Sequence, residues 1–369
     1  MFNCNESVLV DSVHDEVLYR IIKHYNHVRI PGENPIDLSG YVKDEPDNEW
    51  EILDRDGVNV YSNQRYVEEA REMPEVRADH PNDVFLFDSS KYDNPTTNPF
   101  GVLAMAGKSI DTEYLTMNWD WRLSIEKDDK GKARVYSWKE ILKPFHMGPT
   151  PPSNALVFVD RYMFSHQSRG DVDFKNGIRN VFAILNELLP DSFKGEYQIL
   201  LVFDPTKISF GATVEDVTKG LQSIKKMIRP GKFIPTIELL PISFDYDKEI
   251  YSETHDRRII SNYFSIEASH GFSAILPSGP RRDDITYTGY GEASYGQKIS
   301  FNGNYYGIDR NMRFLNLDSL PVSFCDETLR YLNKYYKRII ESSGAVEYIC
   351  NGNRHCDISR LRNRLITSI

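Results

Sequence analysis

Hydrophobic positions divide the chain into two regimes. In the second half, short apolar runs alternate with stripes at helical spacing. Ala155-Leu-Val-Phe-Val-Asp160 reads as a short buried strand. Tyr197-Gln-Ile-Leu-Leu-Val-Phe203 reads as a second, with the nearly continuous apolar run of a strand covered on both faces. Between them, residues 174–189 place Phe174, Ile178, Val181, Phe182, Leu185 and Leu189 on one helical stripe, stopped by Pro190. A helix is predicted over 214–228, with Val214, Val217, Leu221, Ile224 and Ile228 inward. Thr213 stands at its N-cap and Asp216 three residues on, the spacing of a capping box. Thr236-Ile-Glu-Leu-Leu-Pro-Ile242 is the next strand. Strand, helix and strand at this spacing make a βαβ unit with a right-handed crossover. Two more helices are expected in the tail. One covers about 326–341 (Leu329, Leu332, Tyr336, Ile339, Ile340), and one starts at Asp357 and uses Ile358, Leu361 and Leu365.

The first half is less regular. Residues 12–25 carry a helical stripe of Val13, Val17, Leu18, Ile21, Ile22 and Tyr25. From Pro31 to Pro99 the chain turns polar and acidic, which predicts loops and short strands. Residues 101–145 alternate on either side of the turn Asp128-Asp-Lys-Gly131 and suggest a hairpin. His146-Met-Gly-Pro-Thr-Pro-Pro152 suits neither helix nor strand, because three prolines remove donors. It marks the expected boundary between an N-terminal α+β domain of unnamed type over 1–150 and a second domain over 151–369. The fold class is α+β or mixed α/β, with a sheet flanked by helices in the C-terminal half.

Composition narrows the function classes. With 40% hydrophobic and 27% charged residues over 369 positions, the chain has the balance of a globular protein large enough for two cores. No apolar stretch approaches the roughly 20 residues of a membrane-spanning helix. Met1 to Asp15 holds acids and no Lys or Arg, unlike a signal peptide, so a cytoplasmic location is expected. Cys4, Cys325, Cys350 and Cys356 are too few and too scattered for a disulfide framework there. Cys350, His355 and Cys356 lie close together but lack a fourth ligand at zinc spacing, so no metal is expected. His24 and His27, three apart on the expected first helix, have no acidic or thiol partner at metal spacing. No Walker, G-x-S-x-G or H-E-x-x-H pattern is present, and no cofactor is expected.

The net charge of −10 is uneven. Residues 1–100 hold 21 acids and 9 bases, whereas residues 330–369 hold eight bases against three acids. This fits an anion-binding end, an acidic half docking on a basic partner, or two solvated faces.

The stretch that carries chemistry is Glu253-Thr-His-Asp-Arg-Arg-Ile-Ile-Ser-Asn-Tyr-Phe-Ser-Ile-Glu-Ala-Ser-His-Gly-Phe272, which follows the βαβ unit and alternates like a hairpin. Its frame reads His255-x-Arg257, four residues, Asn262, six residues, then Ser269-His270. This frame resembles the signature of the phospholipase D superfamily, H-x-K-x4-D followed after six residues by Gly-Ser. His255-Asp256-Arg257, entering a hairpin after strand, helix and strand, is similar to the His-Asp-Arg motif of a degenerate phospholipase D-like fold, the carboxy-terminal domain of MIT-domain proteins. Gly271-Phe272 resembles that domain's following Gly-containing turn. The resemblance covers about 155–276, roughly a third of the chain. It implies a phospholipase D-like sheet and a site for a phosphate-bearing ligand, with His255, Arg257, Arg258 and Ser269 as the binding residues, to which the following segment is expected to add Arg281 and Arg282.

In the superfamily a His attacks the phosphodiester, a Lys holds phosphate oxygens and an Asp orients the groups. Catalysis also needs a second imidazole to protonate the leaving group. The full frame, with its Ser-His pair, occurs once here. A second imidazole must therefore come from a homodimer or from His270. Arg257 in place of Lys grips phosphate with a permanently charged fork, and Asn262 in place of Asp lowers the basicity of the imidazole. Both changes favour binding over cleavage. On a purely structural reading, His255 and Arg257 instead form a buried polar pair fixing the hairpin, with Asp256 or Glu253 as partner.

From Gly279 to Arg310, glycines and Tyr287, Tyr290, Tyr295, Tyr305 and Tyr306 follow the pair Arg281-Arg282. This composition serves base stacking, a protein-contact loop, or a long hairpin with exposed tyrosines. Asp160-Arg161, at a strand end near His166, is expected to be a structural ion pair, or else part of a site at the carboxyl edge of the sheet.

Three functions remain open. The first is a non-enzymatic module binding a phosphate-bearing ligand or a protein partner. For it, an accessory role in bacterial mobile or antiviral-defence loci makes nucleic acid the expected ligand. The second is a dimeric, metal-independent phosphodiesterase or nuclease with His255 as nucleophile. The third is a pure assembly subunit.

Overall fold

Strands too brief to carry a pattern of their own build the first sheet. They are β1 (Phe2–Cys4), β2 (His27–Ile30), β3 (Asn59–Ser62), β4 (Val84–Phe87) and β5 (Ala104–Ala106). The structure is a computed structural model that describes residues 2–4, 27–30, 59–62, 66–88, 98–106, 121–126, 138–142, 152–165, 174–225, 227–228, 233–243, 257–268, 271–272, 275–276, 298–299, 305–312, 320–341, 349–350 and 363–367. Every neighbouring pair in this sheet is parallel, and the order is β3-β2-β1-β4-β5. Strand order turns back between β1 and β4, as in doubly wound α/β sheets. Helix α1 (Tyr66–Glu72) buries Val67 and Ala70 against Phe85, Phe87, Val102 and Ala104. The expected helical placement of His27 is corrected here, because His27 opens β2 and pairs in register with Asn59. Parallel pairing with both neighbours outweighs the local helical spacing. The expected helix over 12–25, including His24, lies outside the described residues.

Among the described residues, the second sheet holds eight strands. In chain order they are β6 (Trp121–Glu126), β7 (Ala155–Val159), β8 (Gln198–Phe203), β9 (Thr236–Pro241), β10 (Arg257–Ser261) and β11 (Phe264–Ala268). After a two-stranded ribbon of β12 (Ile275–Leu276) and β13 (Lys298–Ile299) come β14 (Tyr305–Met312) and β15 (Ile349–Cys350). The sheet order is β15-β9-β8-β7-β10-β11-β14-β6. β7, β8 and β9 run parallel, and every other pairing in the sheet is antiparallel.

The expected strands β7, β8 and β9 and the helices expected over 174–189, 214–228 and 326–341 are found where the apolar patterns place them, whereas residues 357–362 of the helix expected from Asp357 lie outside the described residues. α2 (Trp138–Leu142) precedes the parallel trio, while α3 (Phe174–Leu188) and α4 (Val214–Lys225) make its crossovers. The capping box forms. Asp216 Oδ2 accepts the Thr213 N–H and hydroxyl at 2.9 Å each, and Thr213 Oγ1 accepts the Asp216 N–H at 3.3 Å. One face of the trio, with Val157, Leu200 and Leu240, packs on α5 (Leu320–Glu341) through Cys325, Leu329 and Leu332. The last helix, α6 (Arg364–Thr367), adds Leu365 and Ile366 to that core. On the other face, Phe158 meets the ring of Phe272, which meets Trp138 of α2, both at 6.2 Å. Apolar burial on both faces explains the unbroken apolar runs of β7 and β8.

The division expected at residue 150 does not follow the sheets. β6 forms the edge of the second sheet by pairing with β14, and Trp138 Nε1 donates to Asn180 Oδ1 of α3 at 2.6 Å. The second unit therefore recruits elements from 121 onward, because a long-range antiparallel pairing outweighs the proline-rich break. The partner side of the hairpin expected around 128–131 lies outside the described residues. Among the described residues, no helix is long and apolar enough to cross a membrane. The chain is a mixed fold of helices with parallel and antiparallel strands.

Candidate functional site

The carboxyl ends of β7 and β8 and the start of β10 meet at one edge of the second sheet. β10 lies antiparallel beside β7, with Arg258 opposite Val159, so Arg257 comes level with the residue that leaves β7, Asp160. β11 returns along β10 with Ala268 opposite Arg257, and the turn at Gly271 brings Phe272 back over Asp160. The edge is thus assembled from segments far apart in sequence.

Asp160 anchors it. Its side chain is buried, and its two oxygens accept backbone N–H groups, Oδ2 from Phe272 at 2.7 Å and Oδ1 from Tyr162 at 2.9 Å. Burial pushes its carboxyl above the usual range, opposed by these N–H donors and by the Arg257 guanidinium. Gly271 has φ +88°, and a Cβ there would stand 2.7 Å from Asp160 Oδ2. Both the left-handed backbone and the close carboxylate require glycine at this turn.

Tyr162 is the next element. The guanidinium carbons of Arg161 and Arg257 lie 5.3 and 5.6 Å from its ring centroid, within cation–π range. Arg161 Nε also stands 3.4 Å from the buried Asp204 Oδ2 at the carboxyl end of β8. Asp204 Oδ1 in turn accepts the Thr206 N–H at 2.9 Å and its hydroxyl at 2.7 Å. The ion pair expected between Asp160 and Arg161 is therefore replaced by Arg161–Asp204. Asp160 serves the backbone of the Gly271 turn instead.

The remaining motif residues separate. Adjacent residues of a strand point to opposite faces. Arg258 accordingly faces away from Arg257 and is bound by Glu267, its cross-strand neighbour, at 3.0 and 3.3 Å. Asn262 sits at the other end of β10, in the turn to β11. At about 3.3 Å per residue, five positions put it roughly 16 Å along the strand from Arg257. Its side chain is fully used there. Nδ2 donates to Pro81 O at 2.5 Å and to Asn154 Oδ1 at 2.9 Å, and Oδ1 accepts the N–H groups of Asn154 and Ala155 at 3.0 and 3.4 Å. Next to it, Tyr263 Oη donates to Asp83 O at 2.6 Å and accepts the Leu103 N–H at 2.8 Å. Asn262 and Tyr263 thus tie the second sheet to the segments flanking β4. His255, Asp256, Ser269, His270, Arg281, Arg282, Tyr287, Tyr290 and Tyr295 lie outside the described residues, as do His166, His355 and Cys356. Among the described residues, no group of three or more His, Cys, Asp or Glu is placed to hold a metal.

Sequence reasoning passed over Tyr162, Asp204, Thr206 and Phe210. The available signal was position, since the residues directly after an apolar strand run occupy the carboxyl edge, where open α/β sheets bind ligands. Comparison with known proteins adds no name to this edge: no family model matches the chain, and no curated protein or solved structure matches it.

Proposed function

We propose that the chain is a non-enzymatic module that binds a phosphate-bearing polyanion at the carboxyl edge of β7, on a degenerate phospholipase D-like frame. The observation that carries this reading is Arg257. It is the motif's cation, half-buried at the start of β10, beside the Tyr162 ring and within electrostatic reach of Asp160. A guanidinium in that place offers a rigid fork to phosphate oxygens. Asp160 opposes an incoming anion less than an exposed carboxylate would, since burial disfavours its charged form. The position of Asn262 supports binding over cleavage, because the frame's acid position stands at the far end of β10 with its amide engaged. Nucleic acid is the proposed ligand, and a second copy of the chain or another protein is the proposed partner.

The test is binding and cleavage of labelled single- and double-stranded DNA and RNA, with EDTA present. Binding without cleavage is expected, weakened in Arg257→Ala with a salt dependence shallower by about one phosphate contact. Metal-independent cleavage lost in His255→Ala would replace this reading with a phosphodiesterase. Absence of binding to any of these probes would reduce the motif to structure and leave an assembly subunit.

A further inference from the structure

We propose that the loops leaving β7 and β8 form a base-stacking platform for single-stranded nucleic acid, with Phe210 and Tyr162 as the stacking faces. The proposal rests on the phosphate-binding reading of Arg257 and names the ligand class of that same edge.

Phe210 is fully exposed, and Tyr162 is more than a third exposed. Isolated apolar side chains on a surface need no explanation. These two, however, rise from loops that are bonded into one body. Ser165 forms a bridge with Ile208, and the Ser209 N–H and hydroxyl donate to Phe164 O at 3.1 and 3.3 Å. The Asp204 N–H donates to Arg161 O at 3.3 Å, alongside the Arg161–Asp204 ion pair. Ser209 is buried directly before Phe210, and Gly211 follows with φ +81° and open space around it. The turn is pinned at its base while its tip projects the ring into solvent.

Charge selects the ligand. The loop after β7 and the adjoining strand bring Arg161 and Arg257 beside the Tyr162 ring, and Lys207 stands three residues before Phe210 in the loop after β8. Asp160 and Asp204, the acids at the strand ends, are buried and turned to backbone N–H groups, to Thr206 and to Arg161. Aromatic faces interleaved with cations match a chain of bases on a phosphate backbone. A duplex hides its base faces, so the strand must be single. A docking protein would need a contiguous apolar patch. Here Phe210 is flanked by Lys207, Gly211 and Thr213 instead.

The test is fluorescence anisotropy with the full chain at one fixed salt concentration. Labelled oligo-dT is compared with an abasic oligonucleotide of the same length, for wild type, Phe210→Ser, Phe210→Trp and Arg257→Ala. Thermal melting verifies that each variant folds. Wild type is expected to prefer oligo-dT. Phe210→Ser should abolish that preference by weakening oligo-dT about ten-fold while leaving abasic binding unchanged, and Phe210→Trp should keep it. Equal binding of the two probes, unaltered in Phe210→Ser, would overturn the platform while the phosphate reading survives. A Phe210-dependent preference that persists unweakened in Arg257→Ala would keep the platform and remove Arg257 from it. No binding of either probe would overturn both.

Discussion

Glu238 offers the sharpest test of how the second sheet is held together. It lies in β9, 1% exposed, on the face that meets α5. Tyr336 of α5 donates its hydroxyl to Glu238 Oε1 at 2.6 Å, and the Asn363 backbone N–H also reaches the carboxylate. Desolvation outweighs these bonds, and with the nearby Glu196 it pushes the carboxyl from 4.5 up to about 8. The folded chain therefore holds a proton that the unfolded chain releases near 4.5. Below that value both states are protonated and the group costs nothing. As pH rises towards 8 the unfolded state gains, so stability falls by up to about 1.4 kcal/mol per pH unit, roughly 5 kcal/mol in all. Above about 8 both states are ionised and the loss levels off. Glu238→Gln removes the titration while keeping an acceptor for Tyr336. Urea unfolding of both proteins at pH 5, 6, 7 and 8 reads the difference. Any offset at pH 5 measures the amide itself, and the growth of the difference with pH measures the carboxyl. The variant should gain on wild type by a few kcal/mol between pH 5 and 8. Parallel stability curves over that range would refute the reasoning, showing that Glu238 is ionised or solvated in the folded chain.

Two further predictions address the edge and the tie between the sheets. Gly271→Ala forces a side chain onto a φ of +88° and to within 2.7 Å of Asp160 Oδ2, and should cost about 1–3 kcal/mol in urea unfolding. It should also weaken anion binding, since Asp160 and the Phe272 N–H must separate. Asn262→Asp restores the superfamily's acid at that frame position, yet it deletes the donor to Pro81 O and Asn154 Oδ1. A loss of about 2–4 kcal/mol and no gain of cleavage are expected, and a cleaving variant would show that position 262 belongs to the site after all.

Parts of this architecture were readable before any tertiary contact was known. β7, β8 and β9 were legible because strands covered on both faces must be apolar at nearly every position. α3 and α4 were legible because one buried stripe and one capping box mark them. The β10–β11 hairpin could be read from its alternation. Arg257 could be placed at a strand end, but its neighbours could not, since Tyr162 and Asp160 reach it only through sheet pairing. Local residue types left the roles of Arg258 and Asn262 ambiguous, and the fold assigns them to Glu267 and to Pro81 with Asn154.

The first sheet marks the other limit. Its strands Phe-Asn-Cys, His-Val-Arg-Ile and Ala-Met-Ala are too short for a period of two to stand out from noise. Their parallel order and the capture of β6 by β14 are decided by pairings between distant segments. By itself, then, the amino-acid sequence determined the strands β7, β8 and β9, the β10–β11 hairpin and the helices α3, α4 and α5, because burial imposes a local period on residue type. Only the tertiary structure decided strand order, the extent of the second unit and the company Arg257 keeps, because those depend on which backbone edges meet.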